Sequence, residues 1–239
     1  MNKENAKDYI VEYWQERSPE FAKLRKQELQ SEKQQLWKEE ILAKLPSQGP
    51  LRILDVGCGP GFFSIILAKE GHRVTGIDIT PGMITMAQQL AKEEQIAANF
   101  MVMDAENLEL EANTFDVVIA RNVTWNLPHP DKAYAEWLRV LKPGGILLNY
   151  DAEYAAHRND PLPEINAHSS VTKDQNKKCN AIYSMLEISN YPRPRWDVEL
   201  LASLGVTCEV DLDVNKRIYP KQDWFYSPAA VFGVKVIKP

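Results

Sequence analysis

Residues 53–64 constrain the fold of this chain more than any other stretch, because they join a buried strand to a helix through a glycine-rich turn. Apolar residues run almost without interruption through 51–56, as expected of a parallel strand that is covered on both faces. Glycines follow at every second position, at Gly57, Gly59 and Gly61. A glycine accepts positive φ and lacks a Cβ, so a ligand approaches the backbone closely. The helix that begins next directs free N–H groups and its positive dipole end at the same place, which predicts a site for a nucleotide-like ligand.

The spacing of these glycines differs from the dinucleotide fingerprint Gly-x-Gly-x-x-Gly. The third glycine comes one residue early, and Phe62 stands where the fingerprint needs a glycine. A side chain of that size fits poorly with the close approach of a pyrophosphate. An NAD-dependent oxidoreductase is therefore disfavoured but stays an alternative, as does a turn with a purely structural role.

The composition excludes several classes of function. Of the 239 residues, 44% are hydrophobic and 26% are charged, as is ordinary for a globular protein. The net charge is −5 and no basic stripe is present, so we expect no nucleic-acid partner. We expect no membrane association, since the sequence shows neither a long apolar run nor a signal-peptide pattern. The three cysteines lack metal-ligand spacing, which favours reduced thiols, no metal and a cytoplasmic location.

The first residues have helical patterns and predict an N-terminal helical cap over 1–48. Residues 4–15 form one amphipathic pattern. Ser18 and Pro19 then indicate the N-cap and first position of a second, long helix. A linker rich in proline and glycine follows at 46–50.

Strand and helix patterns alternate in the domain that we predict over 49–239, which indicates an α/β fold. We expect a Rossmann-like, seven-stranded and mostly parallel sheet with helices on both faces and an antiparallel last pair of strands. The predicted strands are 51–56, 73–79, 99–103, 115–120, 146–150, 206–214 and 229–237. Residues 152–194 have little regular periodicity and several prolines, so they predict a lid inserted after the fifth strand.

Acidic residues lie at the ends of three successive predicted strands, at Asp55, Asp78 and Asp104. Ligands of open α/β sheets bind outside the carboxyl ends of the strands. Asp78 follows Gly61 by seventeen residues, where a carboxylate would meet the hydroxyls of a ribose. Any one of these aspartates has an alternative role as a helix cap or turn residue. Their recurrence at three strand ends favours a nucleoside site.

From residue 51 to about 150, these motifs together resemble those of class I S-adenosylmethionine (SAM) methyltransferases, and segments 115–118 and 141–145 match further motifs of that family. The resemblance implies SAM as the cofactor. It implies that the glycine turn wraps the methionine part near Asp55, that Asp78 binds the ribose, and that Asp104 meets the adenine. The residues that it assigns to the cofactor are Tyr13, Asp55, Gly57, Cys58, Gly59, Gly61, Asp78, Ile79, Met83, Asp104, Ala105, Glu106 and Asn122. Cys58 also has a simpler role as a small filler of the turn.

Residues 121–128 lack the Asn/Asp-Pro-Pro-Tyr/Phe motif of many enzymes that methylate amino groups of DNA and protein. The segment is more similar to the small-molecule members, which implies a small-molecule acceptor methylated by in-line displacement. Trp125 would line the acceptor pocket or pack against the following helix, with equal weight. Trp14 and Arg17 are further pocket candidates, because Tyr13, Trp14 and Arg17 resemble a cap helix that covers SAM. An amphipathic helix packed on the sheet is the alternative.

The sequence does not identify a catalytic residue. A general base is needed only if the acceptor arrives protonated, and the candidates are Asp151, Glu153, His157 and Tyr13. His157 and His168 lie in the predicted lid, where a lone histidine is more often structural or exposed. A SAM-binding protein without transferase activity stays open as an alternative. The identity of the acceptor and the oligomeric state also stay open.

Overall fold

The computed structural model describes residues 3–46, 49–161, 164, 166–167, 169–225 and 227–239, with the side chains from residue 6 onward. Its strands are β1 (Arg52–Val56), β2 (Arg73–Asp78), β3 (Asn99–Val102), β4 (Phe115–Arg121), β5 (Leu141–Asp151), β6 (Cys208–Asp211) and β7 (Phe232–Ile237). Its helices are α1 (Lys3–Leu29), α2 (Glu32–Leu42), α3 (Phe62–Lys69), α4 (Pro81–Glu93), α5 (Pro130–Val140), α6 (Tyr154–His157), α7 (Lys173–Met185), α8 (Arg195–Ser203) and α9 (Val214–Ile218). Short 3₁₀ helices span Thr124–Asn126 and Glu187–Asn190.

The strands form one sheet in the order β3-β2-β1-β4-β5-β7-β6. Strand β1 pairs in parallel with both β2 and β4, while β7 is antiparallel to both β5 and β6. Along the chain, β2 and β3 are added on one side of β1, and β4 is then added on the other side of β1. Such a reversal opens a crevice at the carboxyl ends of the central strands. The predicted seven-stranded, Rossmann-like sheet with an antiparallel end is confirmed.

Two hydrophobic clusters cover the two faces of the sheet. Ile53 and Leu54 are fully buried neighbours on β1, yet they belong to different clusters because successive strand residues point to opposite faces. Helices α2, α3, α4 and α9 contribute to the cluster of Ile53, and α5 and α8 to that of Leu54. Trp37 of α2 packs edge-on against Phe63 and Tyr150, so this helix is part of the main core.

The prediction of two helices separated at Ser18 is wrong, because α1 continues through Pro19 to Leu29. A proline inside a helix removes one backbone N–H and leaves the carbonyl four residues earlier without its donor. Here the Ser18 hydroxyl donates to the Gln15 carbonyl oxygen over 2.9 Å and replaces that donor. The break comes later, where Ser31 caps α2 by accepting from the Lys33 amide. The division between a cap and a domain at residue 48 stays a prediction, and Ser47 and Gln48 lie outside the described residues.

The predicted irregular lid contains more helix than expected. Helix α7 spans thirteen residues, and Thr172 and Gln175 form a reciprocal capping box at its start. The short helix α6 also lies inside this stretch, and α8 begins just after it. Residues 162–163, 165 and 168, and therefore the candidate His168, lie outside the described residues. The last two strands are shorter than predicted, since β6 is Cys208–Asp211 instead of 206–214 and β7 is Phe232–Ile237 instead of 229–237.

Candidate functional site

A cavity of about 450 Å³ lies in the crevice beyond the carboxyl ends of β1, β2 and β4, a volume within the usual range of small-molecule sites. The sheet side supplies the glycine turn and the residues that follow β2, β3 and β4. Helices α1, α6 and α7 supply the opposite side. The sequence-predicted residues that line the cavity are Tyr13, Trp14, Arg17, Asp55, Gly57, Cys58, Gly59, Asp78, Ile79, Met83, Asp104, Ala105, Asn122, Trp125 and His157.

The three glycines of the turn have different roles. Gly59 has φ of +51°, and a Cβ placed there would meet only a ring carbon of Phe21, at 3.6 Å, among the described atoms within 4 Å. A Cβ on Gly57 would lie 2.5 Å from a methyl carbon of Val123. Gly61 precedes α3 with φ of +85°, and its Cβ would press on Phe100 at 3.2 Å. Gly59 thus gives a ligand access to the backbone, whereas Gly61 lies outside the cavity lining and serves packing.

Asp55 is the residue before the last of β1 and lines the cavity. Its Oδ2 accepts a hydrogen bond from the Ser64 hydroxyl at 2.6 Å. Burial raises the pKa of this carboxyl to about 7, and the Ser64 hydrogen bond and the positive charge of Arg121 offset only part of that shift. The cavity therefore contains an acid that is poised to ionise near neutral pH.

Asp78 and Asp104 are fixed by the backbone that follows their strands. Asp78 accepts from the Gly59 amide at 3.0 Å and from the Thr80 amide at 2.9 Å, one through each oxygen. Burial raises the pKa of Asp78, and these two hydrogen bonds oppose the rise. Asp104 accepts from the Glu106 amide at 2.9 Å and from Lys7 Nζ at 2.6 Å. Both carboxylates are held in place before any ligand arrives.

Glu106 lies outside the cavity lining, although the resemblance assigns it to the cofactor. Its Oε1 accepts from the His129 amide and its Oε2 from Lys7 Nζ, each at 2.6 Å. The residue is 6% exposed. Glu106 therefore anchors α1 and the loop before α5 rather than forming part of the cavity wall.

Helix α1 crosses the carboxyl edge of the sheet from β3 to β4. Near its start Lys7 pairs with Asp104, and in its middle Gln15 Oε1 accepts from the Gly82 amide at 2.8 Å. Further on, Phe21 lies over Gly59. Near its end Glu28 pairs with Arg121 at the end of β4. The helix thus covers the whole cavity, which was expected of the N-terminal segment but not as one continuous helix.

Helices α6 and α7 close the side of the cavity next to α1. Trp125 packs against Tyr154 of α6 and Tyr183 of α7, with ring centroids 5.5 and 5.2 Å apart. Its Nε1 donates to the Asn122 carbonyl at 2.9 Å. Lys178 of α7 reaches Glu16 of α1 at 2.7 Å. Trp125 thus lines the cavity, and the rings that it packs against belong to α6 and α7 and not to the following helix, α5.

The structure contradicts Asp151 as a catalytic base. Asp151 is fully buried and accepts hydrogen bonds from the Thr124 hydroxyl, the Trp125 amide at 2.9 Å and Arg193. It lies outside the cavity lining and holds the loop of Trp125 in place. Burial raises its pKa, partly offset by Arg193. Glu153 also lies outside this cavity.

The two other candidate bases do line the cavity. Burial raises the pKa of the Tyr13 hydroxyl above its usual value, so Tyr13 stays protonated at neutral pH and is a poor base. His157 hydrogen-bonds through Nδ1 to Asp160 at 2.7 Å, and both residues lie at the cavity. Geometry thus retains His157 among the candidates.

Sequence reasoning missed two arginines and two tyrosines of the cavity: Arg25, Arg121, Tyr154 and Tyr219. Arg121 ends β4. Its sequence signal was available, because an arginine that ends a mostly apolar strand lies at the edge of the sheet where ligands bind. The other three had no such signal, because each comes from a separate segment and the fold alone brings them together.

The lining fits a polar cofactor with an apolar part. Several buried polar atoms at the cavity lack a hydrogen-bond partner among the described residues, including Thr80 Oγ1, Asn122 Oδ1 and Asn126 Oδ1. Unpaired buried polar groups are costly, and a bound polar ligand would satisfy them. Ile79 and Met83 add an apolar wall beside Asp78. The backbone of Gly59 is accessible from the cavity. The lining therefore suits a nucleoside that carries a polar chain.

Within the described ranges, no three histidine, cysteine or acidic side chains converge as metal ligands. The helices among the described residues are all too short or too polar to cross a lipid bilayer.

Comparison with known proteins identifies the family of the central segment. Residues 54–149 match the family model of a methyltransferase domain. The chain is 36% identical over 96 residues to the ubiquinone biosynthesis O-methyltransferase of Coxiella burnetii, covering 40% of this chain and 41% of that protein. It is 44% identical over 117 residues to the 2-methyl-6-phytyl-1,4-hydroquinone methyltransferase of Synechocystis, covering 46% and 35%. The matched regions thus span less than half the length of these relatives.

The crystal structure of a SAM-dependent methyltransferase from Aquifex aeolicus superposes with a TM-score of 0.61 at 20% identity, covering 91% of this chain and 97% of that one. At this identity the likeness shows the shared fold. Together with the family match and the strand-end motifs, it confirms the resemblance drawn from the sequence. Residues 54–149 thus match a methyltransferase domain, and the chain shares the fold of a SAM-dependent methyltransferase.

Proposed function

We propose that this chain transfers the methyl group of SAM to a small-molecule acceptor by in-line displacement. The observation that carries the proposal is the cavity itself. One wall offers the open backbone of Gly59 and three carboxylates at successive strand ends, and the opposite wall is aromatic. SAM, when bound, supplies a methyl group activated by a positively charged sulfur. The protein's residues bind and align, and alignment alone contributes about 7–11 kcal/mol to a bimolecular reaction.

The sheet wall is where we place the cofactor. Each Asp78 oxygen already accepts one backbone N–H, and a carboxylate has about four acceptor sites, so two remain for the hydroxyls of a ribose. Asp104 and the Ala105 backbone would contact the adenine, with Ile79 and Met83 against its faces. Asp55 and the Asn122 loop would meet the amino end of the methionine part. Gly61 and Glu106 would support the sheet wall without contacting SAM. Gly61 would allow close packing against Phe100, and Glu106 would hold the loop before α5.

The aromatic wall is where we place the acceptor. Trp14, Trp125 and Tyr183 line this side of the cavity, where they would exclude water and hold a flat acceptor. The names of the two curated relatives describe a ubiquinone O-methyltransferase and a hydroquinone methyltransferase, which supports a small ring-containing acceptor here. For an acceptor that arrives protonated, His157 would remove the proton, with Asp160 orienting its ring.

The three cysteines are free. We propose a cytoplasmic location on this ground, since reduced thiols persist there.

Two measurements test the proposed function. Calorimetry with SAM, S-adenosylhomocysteine (SAH) and NAD identifies the cofactor, and we expect binding of the first two only. Release of SAH across a panel of phenols, quinols, amines and thiols then identifies turnover. Binding of NAD without SAM would indicate an oxidoreductase, and SAM binding without turnover of any acceptor would favour a SAM-binding protein that transfers no methyl group.

A further inference from the structure

A pair of arginines lines the cavity beyond the glycine turn. Arg25 comes from α1 and Arg121 from the end of β4. Glu28, which is fully buried and outside the cavity lining, holds both of them. Its carboxylate accepts from Arg25 Nη1, and its two oxygens accept from Arg121 Nη2 at 2.8 and 2.9 Å. One carboxylate thus positions two guanidinium groups from behind.

Aromatic rings fix the two guanidinium groups further. The Arg121 guanidinium lies 4.8 Å from the ring centroid of Phe62 and 4.9 Å from that of Trp37. The Arg25 guanidinium lies 4.7 Å from the centroid of Phe21. The side chains are only 12% and 10% exposed for Arg25 and Arg121. Little side-chain entropy remains to be lost when a ligand binds, so the pair is preorganised.

This cluster has unsatisfied charge and unsatisfied donors. Two guanidinium groups share the one carboxylate that they hydrogen-bond, that of Glu28. Asp55 is the other carboxyl that the charge of Arg121 reaches, and burial raises its pKa to about 7, so positive charge is left in excess while Asp55 is protonated. Arg25 Nε and Arg121 Nη1 have no hydrogen-bond partner among the described residues. Burial lowers the pKa of Arg25, partly offset by Glu28, which reflects the cost of keeping this charge away from water. An anion bound at the pair would remove that cost.

Two tyrosines complete the same end of the cavity. Tyr154 of α6 and Tyr219 beyond α9 line it together with the two arginines. Burial raises the pKa of both hydroxyls, so each stays protonated and is available as a donor. Two guanidinium groups and two phenols form a set of donors without a competing acceptor of their own, apart from Glu28 behind them.

The cluster lies apart from the ribose end of the cavity. Gln15 of α1 contacts α4 beside Asp78, and Arg25 follows ten residues later on the same helix. At 1.5 Å per residue the separation along the helix is about 15 Å. The donors therefore lie past the glycine turn, on the side of Tyr154, whose ring packs against Trp125 of the aromatic wall where we place the acceptor.

We propose that Arg25 and Arg121 bind an anionic group, a carboxylate or a phosphate, on the methyl acceptor. The inference rests on the proposed function and narrows its substrate class to small anionic molecules. The guanidinium group of an arginine can donate two parallel hydrogen bonds to two oxygens of a carboxylate or of a phosphate. Tyr154 and Tyr219 would donate to the remaining oxygens, and the neighbouring aromatic wall would hold the body of the molecule.

The test titrates the SAH-saturated protein with benzoate and with inorganic phosphate, using benzamide as the neutral match of benzoate. We expect saturable binding of at least one anion and none of benzamide. Arg121→Lys and Arg25→Gln should each weaken the anion about tenfold or more and leave SAH affinity within about threefold. Arg195→Gln, on an exposed arginine of α8, is the control and should change neither.

A further variant, Glu28→Gln, should raise the affinity for the anion instead of lowering it. Glu28→Gln removes the competing negative charge and should tighten the anion several-fold if the variant keeps a cooperative thermal transition. It also guards against a loss of binding that merely reflects poor folding of the arginine variants. A Glu28→Gln variant that folds and binds the anion no better than the unaltered protein would count against the proposal.

Two outcomes overturn it outright. One is that the SAH complex binds neither anion. The other is that Arg25→Gln and Arg121→Lys weaken SAH about tenfold but leave 5′-methylthioadenosine unaffected, because the pair would then hold the carboxylate of the cofactor. Failure of the proposed function is separate: the unaltered protein would not bind SAH, while titration of the ligand-free protein with the two anions would still report on the arginines.

Discussion

The sheet wall and the helical cover of the cavity are held by different kinds of contact. On the sheet wall, Asp78 and Asp104 are fixed by backbone amides of the turns that follow their strands. In the cover, α1 and α7 are joined at the surface by Lys178 with Glu12 and Glu16, whose side chains are 31%, 69% and 42% exposed. Exposed ion pairs contribute little to stability, so most of this contact comes from a buried apolar cluster that includes Ile10 and Tyr13 of α1 and Ile182 of α7. The sheet wall is thus held by hydrogen bonds to the backbone, and the cover mainly by apolar packing.

The division between the sheet wall and the cover coincides with the limits of the segment that matches the family model. The matched segment, residues 54–149, contains the glycine turn and the three strand-end aspartates. Helices α1, α6 and α7 lie outside it. The segment that matches the family model thus contains the sheet wall, and the rest of the chain contains the cover and Arg25. We expect substitutions in the two parts to separate cofactor binding from the choice of acceptor.

The largest expected effect comes from Gly59→Val. Valine is strained at φ of +51° and its methyl groups would enter the space under Phe21, so we expect no measurable SAH binding by calorimetry. Gly71→Val is the matched control, since Gly71 also has positive φ, +84°, with nothing described within 4 Å of its Cβ position. The control should lower the melting temperature and keep SAH affinity. Equal loss of affinity in both variants would mean that strain alone, and not access to the backbone, explains the result.

The second effect concerns pH and the buried acid of the sheet wall. The pKa of Asp55 is about 7 when folded against a usual value of 3.8, so the folded state binds more protons between these values and loses stability as pH rises from about 4 to 7. The loss is roughly 4 kcal/mol at most, at 1.36 kcal/mol for each pKa unit. Asp55→Asn should therefore flatten the fall of melting temperature between pH 5 and 8.

Asp116→Asn is the control for this pH profile. Burial raises the pKa of Asp116, but the hydrogen bonds from Lys142 and the Arg52 amide, together with the two positive charges, lower it overall. Its contribution is lost only as pH falls below the usual range of an aspartate, so the profile between pH 5 and 8 should keep the shape of the unaltered protein. Parallel profiles for Asp55→Asn and the unaltered protein would show that Asp55 ionises normally.

The third effect is at the ribose position. Asp78→Ala should weaken SAH by about 1.5–3 kcal/mol, the contribution of hydrogen bonds to a charged group. It also frees the Gly59 amide, so calorimetry is read together with circular dichroism. Asp116→Ala removes a carboxylate at the opposite edge of the sheet and should leave affinity unchanged. Normal SAH affinity in a folded Asp78→Ala variant would remove Asp78 from the cofactor site.

The smallest effect tests the cover. Addition of SAH should slow hydrogen–deuterium exchange around residues 13–17 and in α7, besides the glycine turn. Lys178→Ala should reduce the protection of α7 and change SAH affinity about twofold or less, because the pair is at the surface. Lys216→Ala removes a similar exposed pair on α9 and should leave the exchange of α7 unaltered. Protection confined to the glycine turn and the strand ends would mean that the cover does not close over the cofactor.

Two local errors show where sequence patterns fall short. Ser18 before Pro19 reads as the start of a helix, yet the Ser18 hydroxyl bonds back to Gln15 and lets the helix continue. The irregular stretch around Thr172 hid a helix, although the spacing of Thr172 and Gln175 is that of a capping box and was available to be read. In both places the outcome depends on which hydrogen bond one hydroxyl makes.

The sequence by itself determined the seven strands in their order along the chain, the helices between the first five of them, the glycine turn and the strand-end aspartates. These depend on local causes: apolar periodicity, residues that accept positive φ, and side chains that bond to the backbone within a few residues. Only the tertiary structure decided that Glu28 meets Arg121, 93 residues away, or that Lys7 meets Asp104, 97 residues away. No local pattern encodes such pairs, because they depend on how α1 packs across the whole sheet. For the same reason Asp151, which ends β5 as Asp78 ends β2, proved to be a buried anchor for the loop of Trp125.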